Sequence, residues 1–290
     1  MSQKSAKIIK INITSTHIVR VINFVRSRLM QVPKKSPFII FTPNPEILLL
    51  ASNDNKFAKI LSSADILLAD GIGLVQAAKF LSLSNPKNMF IRLFVLLGQG
   101  LLVGLATFFK KDWLKSELTP VKGRELFIEL VKLANKKSWR VFLLGGKGEA
   151  TQKTAEFFKN TLKKVTIAYA SGPILDSSAE AVSSQEKLVE EKIIDKINEF
   201  KPHLLFVAFG APKQEKWLYK QLNKLEIGGA ITVGGAFDYI SGKVQFPPIW
   251  MENLGLEWVW RLITQPWRFR RIFTAFPVFP LKVFWYKLNL

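Results

Sequence analysis

Residues 203–215, HLLFVAFGAPKQE, decide the fold of this chain. Apolar residues run without interruption from Leu204 to Phe209, and a glycine and a polar segment follow them. A short apolar run with such an ending is typical of a strand that is buried on both faces and leads through a loop into a helix. The stretch therefore predicts a strand, a loop and a helix, in that order.

The same order of strand, loop and helix begins again at residues 38, 65 and 140, and a further strand over residues 230–233 ends in two glycines. Repetition of this unit predicts an α/β fold with a Rossmann-like, mostly parallel sheet and helices on both faces. Ligands bind such sheets at the carboxyl ends of the strands. A functional site is therefore expected in the loops that follow these strands.

Asp70 lies in one of these loops, between the predicted strand at residues 65–69 and the glycines Gly71 and Gly73. A carboxylate at the end of a strand, beside glycines that leave room for a ligand, is a candidate general base. Aspartate at such a junction is also a common helix N-cap, so the position alone leaves both roles open.

Three other loops hold candidate binding residues. Asn44, with Thr42 two residues before it, can hydrogen-bond a sugar hydroxyl or N-acetyl group, although a proline-punctuated turn explains the loop equally well. Gln214 can bind a ligand or face solvent on a first helical turn. Gly145 and Gly146 would let the backbone approach a phosphate at a helix N-terminus. Their loop is an incomplete nucleotide fingerprint, so a tight turn remains an alternative.

The composition indicates a globular protein with an anionic partner. Of 290 residues, 48% are hydrophobic, which is enough for a sizeable core. The absence of cysteine and the presence of two histidines argue against disulfides and against a metal site rich in these ligands. The net charge of +20 accompanies 23 Phe and 8 Trp, a mixture that suits a membrane–water interface but also nucleic-acid-binding surfaces. Residues 1–10 lead into no signal peptide, so we expect a cytoplasmic protein.

Residues 90–109, FIRLFVLLGQGLLVGLATFF, form an apolar insert long enough for one bilayer span. A span would place Asp70 and Gln214, which belong to one sheet, on opposite sides of the membrane. The Gly98-Gln99-Gly100 stretch instead predicts a break that gives a re-entrant or interfacial helical pair, with lysines at both flanks. A helix buried in the core or in the interface of a homo-oligomer is the alternative.

Residues 246–290 combine aromatic and basic residues and predict an appendage that associates with the membrane, next to an α/β core at residues 1–245 that carries the insert at 86–118. Pro277 and Pro280 should interrupt its helices.

The chain has no Asp-x-Asp motif of the kind that holds a divalent cation on a sugar nucleotide. Arginines or backbone amides would then have to stabilise a departing diphosphate, and the appendage supplies Arg261, Arg268 and Arg271.

Five stretches, in order, resemble the WecG/TagA/CpsF family of glycosyltransferases: residues 42–46 (TPNPE), 69–73 (ADGIG), 207–215 (VAFGAPKQE), 233–238 (VGGAFD) and 255–261 (GLEWVWR). The resemblance covers roughly residues 11–271. It implies an inverting, metal-independent transfer of an N-acetylmannosamine-type sugar from a UDP donor to polyprenyl-diphosphate-linked N-acetylglucosamine. Such a reaction belongs to teichoic acid, common antigen or capsule biosynthesis at the cytoplasmic face of the membrane.

The resemblance also implies roles for single residues. Asp70 matches the proposed base, Thr42 and Asn44 match a substrate-pocket loop, and Gln214 and Asp238 fall in motifs that line the donor site. The three appendage arginines match residues that are thought to close over the site and hold the diphosphate. The chain departs from the family where an Arg-Val-Thr-Gly stretch is usual: it has residues 120–123 (PVKG), which leaves Lys122 or Arg124 to compensate and leaves the donor sugar open.

Other functions compete with this interpretation. A nucleic-acid-binding protein would explain charge and aromatic content, but the chain has no recognisable module of that type, so no nucleic-acid partner is expected. A membrane adaptor that kept the fold and lost activity, and a dehydrogenase with an incomplete glycine loop, are further alternatives. No cofactor beyond the UDP-sugar co-substrate is expected, and membrane attachment should be peripheral or monotopic.

Overall fold

The computed structural model describes residues 4–31 and 36–290 and confirms the predicted α/β architecture. Residues 1–3 and 32–35, which belong to the predicted core at residues 1–245, lie outside the described residues. The strands are β1 (Ser5–Ile8), β2 (Ile11–Thr14), β3 (Phe38–Phe41), β4 (Ile66–Leu67), β5 (Arg140–Gly145), β6 (Thr166–Ala170), β7 (Leu204–Ala208) and β8 (Gly229–Thr232). An antiparallel hairpin joins β1 to β2, and the other six form one parallel sheet in the order β4–β3–β8–β7–β5–β6.

Helices cover both faces of the sheet. Those up to residue 240 are α1 (Ile18–Met30), α2 (Pro45–Asn53), α3 (Asn55–Ser62), α4 (Ile72–Ser82), α5 (Met89–Phe109), α6 (Lys111–Leu114), α7 (Gly123–Lys137), α8 (Ala150–Thr161), α9 (Ser184–Phe200), α10 (Lys213–Gln221) and α11 (Ala236–Ile240). Helices α1, α7, α8 and α11 pack on one face, whereas α2 to α6, α9 and α10 belong to the cluster on the other.

The central strand β7 shows why this sequence adopts the fold. All five of its residues are buried, and successive side chains point to opposite faces of the sheet. Leu205 and Val207 therefore join the cluster under α4 and α10, whereas Leu204 and Phe206 join the cluster under α7 and α8. The apolar run that predicts the strand thus supplies both cores.

The loops after the strands are brought together at one edge by the parallel register. Gly145 at the end of β5 lies opposite Ala208 of β7, and Val207 lies opposite Thr232 of β8. Backbone hydrogen bonds connect the loops beyond: the Asp70 amide donates to the Pro43 carbonyl at 2.9 Å. The carboxyl edge is therefore where a ligand would meet residues from several strands.

The apolar insert forms one continuous helix, α5, so the expected break at Gly98-Gln99-Gly100 is wrong. A glycine inside a helix costs only about 1 kcal/mol relative to alanine, and packing against α4 and α15 (Phe279–Leu288) outweighs it. Leu96, Val103 and Ala106 are buried on this inner face, whereas most of the helix is exposed. Among the described residues, α5 is the one helix long and apolar enough to cross a membrane.

The chain ends in short helices that lie over the carboxyl edge and then return to the body. They are α12 (Ile249–Asn253), α13 (Glu257–Thr264), a 3-10 turn (Pro266–Arg268), α14 (Phe269–Phe273), a π turn (Thr274–Val278) and α15. Phe276, before Pro277, leaves the helical conformation, and Pro280 occupies the first turn of α15, where proline is tolerated. Helix α15 packs on α2, α4 and α5 of the core. The boundary between an α/β core and an appendage at residue 246 stays a prediction.

Candidate active site

A cavity of about 940 Å³ opens at the carboxyl edge of the sheet, beneath α13 and α14. It has the size of a site for a nucleotide-sized ligand. The predicted site residues that line it are Thr42, Asn44, Asp70, Gly146, Gln214, Asp238, Arg261, Arg268 and Arg271. Its lining carries eight basic and three acidic side chains, so its net charge favours an anion.

Asp70 is a partly buried carboxyl group on the wall of this cavity. It does not cap α4, because the N-cap is Gly71 and no side-chain capping bond forms, so the N-cap interpretation is wrong. Burial raises the pKa of Asp70 from 3.8 to about 6; Arg261 counteracts this rise and Glu257 adds to it. The result is a carboxylate that is ionised at neutral pH and still basic enough to accept a proton.

The appendage arginines reach the cavity with different partners. Arg261 donates from Nε to the Tyr239 hydroxyl at 2.9 Å and stacks on the same ring. Arg271 is held in a bidentate ion pair by Glu46, at 2.8–2.9 Å. Arg268 makes no ion pair within the described part of the chain. Its pKa is lowered by burial and by the positive charges of Arg261 and Arg271, which an anionic ligand would offset.

Lys122 and Arg124, at the point where the chain departs from the family pattern, are already paired within the protein. Arg124 donates to Glu257 at 3.0 Å and also contacts Glu252. Lys122 lies 2.8 Å from Glu257 and contacts Glu252 as well. These pairs fix α12 and α13 over the loop before α7. Both cations line the cavity, but their charge is largely neutralised by the two carboxylates.

Thr42 and Asn44 shape the floor of the cavity. The Thr42 hydroxyl donates to the Thr232 carbonyl at 3.0 Å, which ties the ends of β3 and β8 together. Asn44 is the N-cap of α2, and its side-chain oxygen accepts from the Ile47 amide at 3.0 Å. The local turn interpretation therefore describes the side-chain oxygen of Asn44 correctly, and Asn44 also lines the cavity.

Gln214 is buried rather than facing solvent, and it covers a second buried carboxyl group that sequence reasoning missed. Its amide donates to Glu215 at 2.7 Å, and Glu215 is only 1% exposed. Burial raises the pKa of Glu215 to about 7, and the hydrogen bond from Gln214 opposes this rise. Among the described residues, Oε1 of Gln214 and Oε2 of Glu215 have no hydrogen-bond partner.

The glycine loop after β5 is governed by close packing. A Cβ atom on Gly145 would lie 2.9 Å from the Ala208 backbone, and one on Gly146 would lie 2.2 Å from the Thr151 hydroxyl. Both residues also have φ angles in the left-handed region, at +98° and +83°. Gly145 does not line the cavity, so the tight-turn interpretation fits it, whereas Gly146 lies on the wall.

Other residues of the site were not singled out from the sequence. Glu257 and Glu215 lie inside stretches that carry the family resemblance, yet nothing local marks them as buried or paired. Glu46 and Tyr239 become relevant only because Arg271 and Arg261 fold back onto them. No group of three or more potential metal ligands occurs within residues 4–31 and 36–290.

Comparisons with known proteins show the family of this chain. The sequence model described as "Glycosyl transferase WecG/TagA/CpsF family" matches residues 6–95 and 92–290. A relative from Bacillus subtilis (strain 168), named N-acetylglucosaminyldiphosphoundecaprenol N-acetyl-beta-D-mannosaminyltransferase, is 31% identical over 87% of this chain and 81% of its own length. Proteins of the same name from Bacillus spizizenii and Staphylococcus aureus are 31% and 24% identical, over 82% and 95% of this chain and 75% and 91% of their own lengths.

Proposed function

Because this chain belongs to the WecG/TagA/CpsF family and is a glycosyltransferase, we propose that it transfers N-acetylmannosamine, or a related hexosamine or hexose, from a UDP donor. The proposed acceptor is polyprenyl-diphosphate-linked N-acetylglucosamine, in keeping with the names of the relatives. The product would serve the assembly of a cell-surface polysaccharide of teichoic acid, common antigen or capsule type. The observation that carries this proposal is Asp70, a carboxyl group that caps no helix and has a pKa of about 6 in a basic cavity.

In the proposed reaction Asp70 is the general base. Its carboxylate takes the proton of the acceptor hydroxyl while the hydroxyl oxygen forms a bond to the anomeric carbon. The bond from that carbon to the β-phosphate oxygen breaks in the same step, and UDP leaves with the electron pair. Attack from the side opposite the leaving group inverts the anomeric centre, and no covalent intermediate with the enzyme is needed.

The arginines would stabilise the negative charge that develops on the leaving diphosphate. Arg268 makes no ion pair among the described residues, and it lies near Asp238 of α11 and Gly235 in the loop after β8. Arg261 keeps donors beyond the one that bonds Tyr239. Guanidinium groups bind phosphate oxygens in bidentate geometry, so two of them offer an alternative to a divalent cation. Transfer is therefore proposed to be independent of metal.

A lipid-linked acceptor requires the site to be at a membrane, and we place the protein at its cytoplasmic face as a peripheral or monotopic enzyme. Ile249, Trp250 and Trp267 are large apolar side chains of the last 45 residues that remain at least 60% exposed. Their mixture with arginines suits an anionic interface, where aromatic rings lie at headgroup level.

The proposal is tested by incubating the enzyme with UDP-N-acetylmannosamine and a short-chain lipid-linked N-acetylglucosamine, while UDP release is measured. UDP-N-acetylglucosamine and UDP-glucose serve as competing donors. The expected product has the opposite anomeric configuration to the donor, which NMR of the purified disaccharide determines. UDP release should persist in EDTA. If no donor yields a lipid-linked disaccharide although UDP binds, the chain is an adaptor that kept the fold.

A further inference from the structure

Helix α5 presents an apolar face that no other part of the described chain covers. Phe90, Phe94, Leu97, Leu101, Leu105 and Phe108 recur at intervals of three and four residues, which places them in one stripe along the helix. Each is between 46% and 81% exposed. A stripe of this length far exceeds the isolated apolar side chains that are normal on a protein surface.

All polar side chains of α5 turn away from this stripe and are satisfied within the protein. Arg92 donates to the carbonyl oxygens of Pro86 and Leu288 at 2.7 and 2.9 Å. Gln99 donates to the Ser84 carbonyl at 2.9 Å. The third, Thr107, accepts a hydrogen bond from Gln76 of α4 at 2.6 Å. The exposed face consequently offers neither a charge nor an unpaired polar group.

We propose that α5 lies in the plane of an anionic membrane with this stripe among the acyl chains. Lysines 87, 110 and 115 are exposed near the two ends of the helix, where lipid phosphates would meet them. Neighbouring α15 exposes Leu281, Lys282 and Trp285, the residue types of an interfacial helix. A second copy of a chain with a net charge of +20 would be repelled, whereas anionic lipid is attracted.

The contacts of α5 are those of an embedded helix rather than of a span. Its inner face is buried against α4 and α15 along its length, through Leu96 and Val103 among others. Arg92 at one end and Thr107 at the other are bonded to those same helices or to the residues beside them. Crossing the bilayer would expose these bonded groups to hydrocarbon and break the packing of α15.

The embedded helix also lies beside the proposed active site. A Cβ atom on Gly255 would lie 3.6 Å from both Ile72 of α4 and Thr107 of α5, so the three segments meet at one point. Ile72 is two residues from Asp70. Docking through α5 would thus hold the cavity next to the lipid surface; this step rests on the proposed function, whereas membrane docking itself does not.

Vesicle binding tests the docking surface. The triple variant Phe94→Asp/Leu97→Asp/Leu101→Asp should partition onto vesicles of phosphatidylglycerol and phosphatidylcholine at least about tenfold more weakly than the wild type. A matched control, Val19→Asp/Met30→Asp/Phe157→Asp, makes the same change of charge and apolarity on α1 and α8, across the sheet, where these side chains are exposed. It should bind as the wild type does.

Equal partitioning of the two variants would overturn the proposal. So would a wild-type dimer in solution that the α5 variant converts to a monomer without loss of vesicle binding, because the stripe would then join two copies. Both results can be read whether or not sugar transfer occurs. Transfer to a water-soluble acceptor analogue, measured in parallel, reports the proposed function alone and should be the same in both variants.

Depth measurements separate the embedded orientation from a span. Since the chain has no cysteine, Phe90→Cys, Leu97→Cys and Leu105→Cys each give a single site for a fluorescent label. Lipids brominated at different depths should quench all three labels at one shallow depth, and should leave a label on Val19→Cys unquenched. A label at residue 97 that lies at the bilayer centre, with shallow labels at 90 and 105, would instead show a span.

Discussion

Asp70 and Glu215 are both carboxyl groups whose pKa is raised by burial, to about 6 and about 7, but their surroundings differ. Asp70 lines the cavity and lies near the positive charges of Arg261 and Arg124. Glu215 is buried and hydrogen-bonded to Gln214, and the charged neighbour with the largest effect on its pKa among the described residues is another acid, Glu46. A raised pKa therefore does not identify a base by itself; access to the cavity and nearby cations distinguish the two.

The largest expected effect is on the transfer rate of the Asp70→Asn variant. Loss of the proposed base should lower kcat by about 10³-fold, because asparagine cannot accept the acceptor's proton. Calorimetric binding of UDP should be unchanged, since the arginines remain in place. Glu215→Gln is the matched control and should retain a rate within about tenfold of the wild type. A similar rate loss in both variants would mean that the comparison does not separate catalysis from structure.

A smaller effect is expected when the main cation near Asp70 is removed. Arg261→Ala should lower kcat by about 10²-fold, the typical cost of one charge-stabilising donor. It should also shift the acid limb of the profile of kcat/KM against pH to a higher pH than the value near 6 that is expected for the wild type. The direction follows because Arg261 is the largest of the influences that lower the pKa of Asp70.

Arg261→Lys keeps the charge and should restore the position of the limb better than it restores the rate, because lysine lacks the planar fork. If Arg261 served the diphosphate alone, the Arg261→Ala variant would keep the acid limb at its wild-type position, with the rate still reduced.

The fold and most of the residues that line the site can be predicted from the sequence for one physical reason. Strands buried on both faces are continuous apolar runs, and parallel strands bring their following loops to one edge, so Thr42, Asp70 and Gln214 had to be neighbours. The ion pairs could not be predicted from the sequence, because Lys122 contacts Glu252 only after the appendage folds back onto the core. The continuity of α5 was equally hidden, because the packing that outweighs its glycines comes from α15.

The smallest expected effect is on stability, and its dependence on pH separates the two acids. A carboxyl group with a raised folded pKa makes the folded state most stable below the unfolded pKa, and that stability is lost as pH rises to the folded value. For Glu215 the loss falls between 4.5 and about 7, and for Asp70 between 3.8 and about 6. Removing either ionisable group should therefore raise the melting temperature at neutral pH.

Thermal melts at about pH 5 and about pH 8 measure the difference between the two acids. Each kcal/mol gained in the free energy of unfolding should raise the melting temperature by roughly 2–4 °C. Glu215→Gln should show only about a quarter of its gain at the lower pH and the full gain, several degrees, at the higher one, where the wild-type carboxylate is charged in its buried position. Asp70→Asn should already show about half of its gain at the lower pH, because its pKa window begins and ends lower. Equal gains at both pH values would mean that the substitutions act through packing, and that burial does not set the charge of either acid.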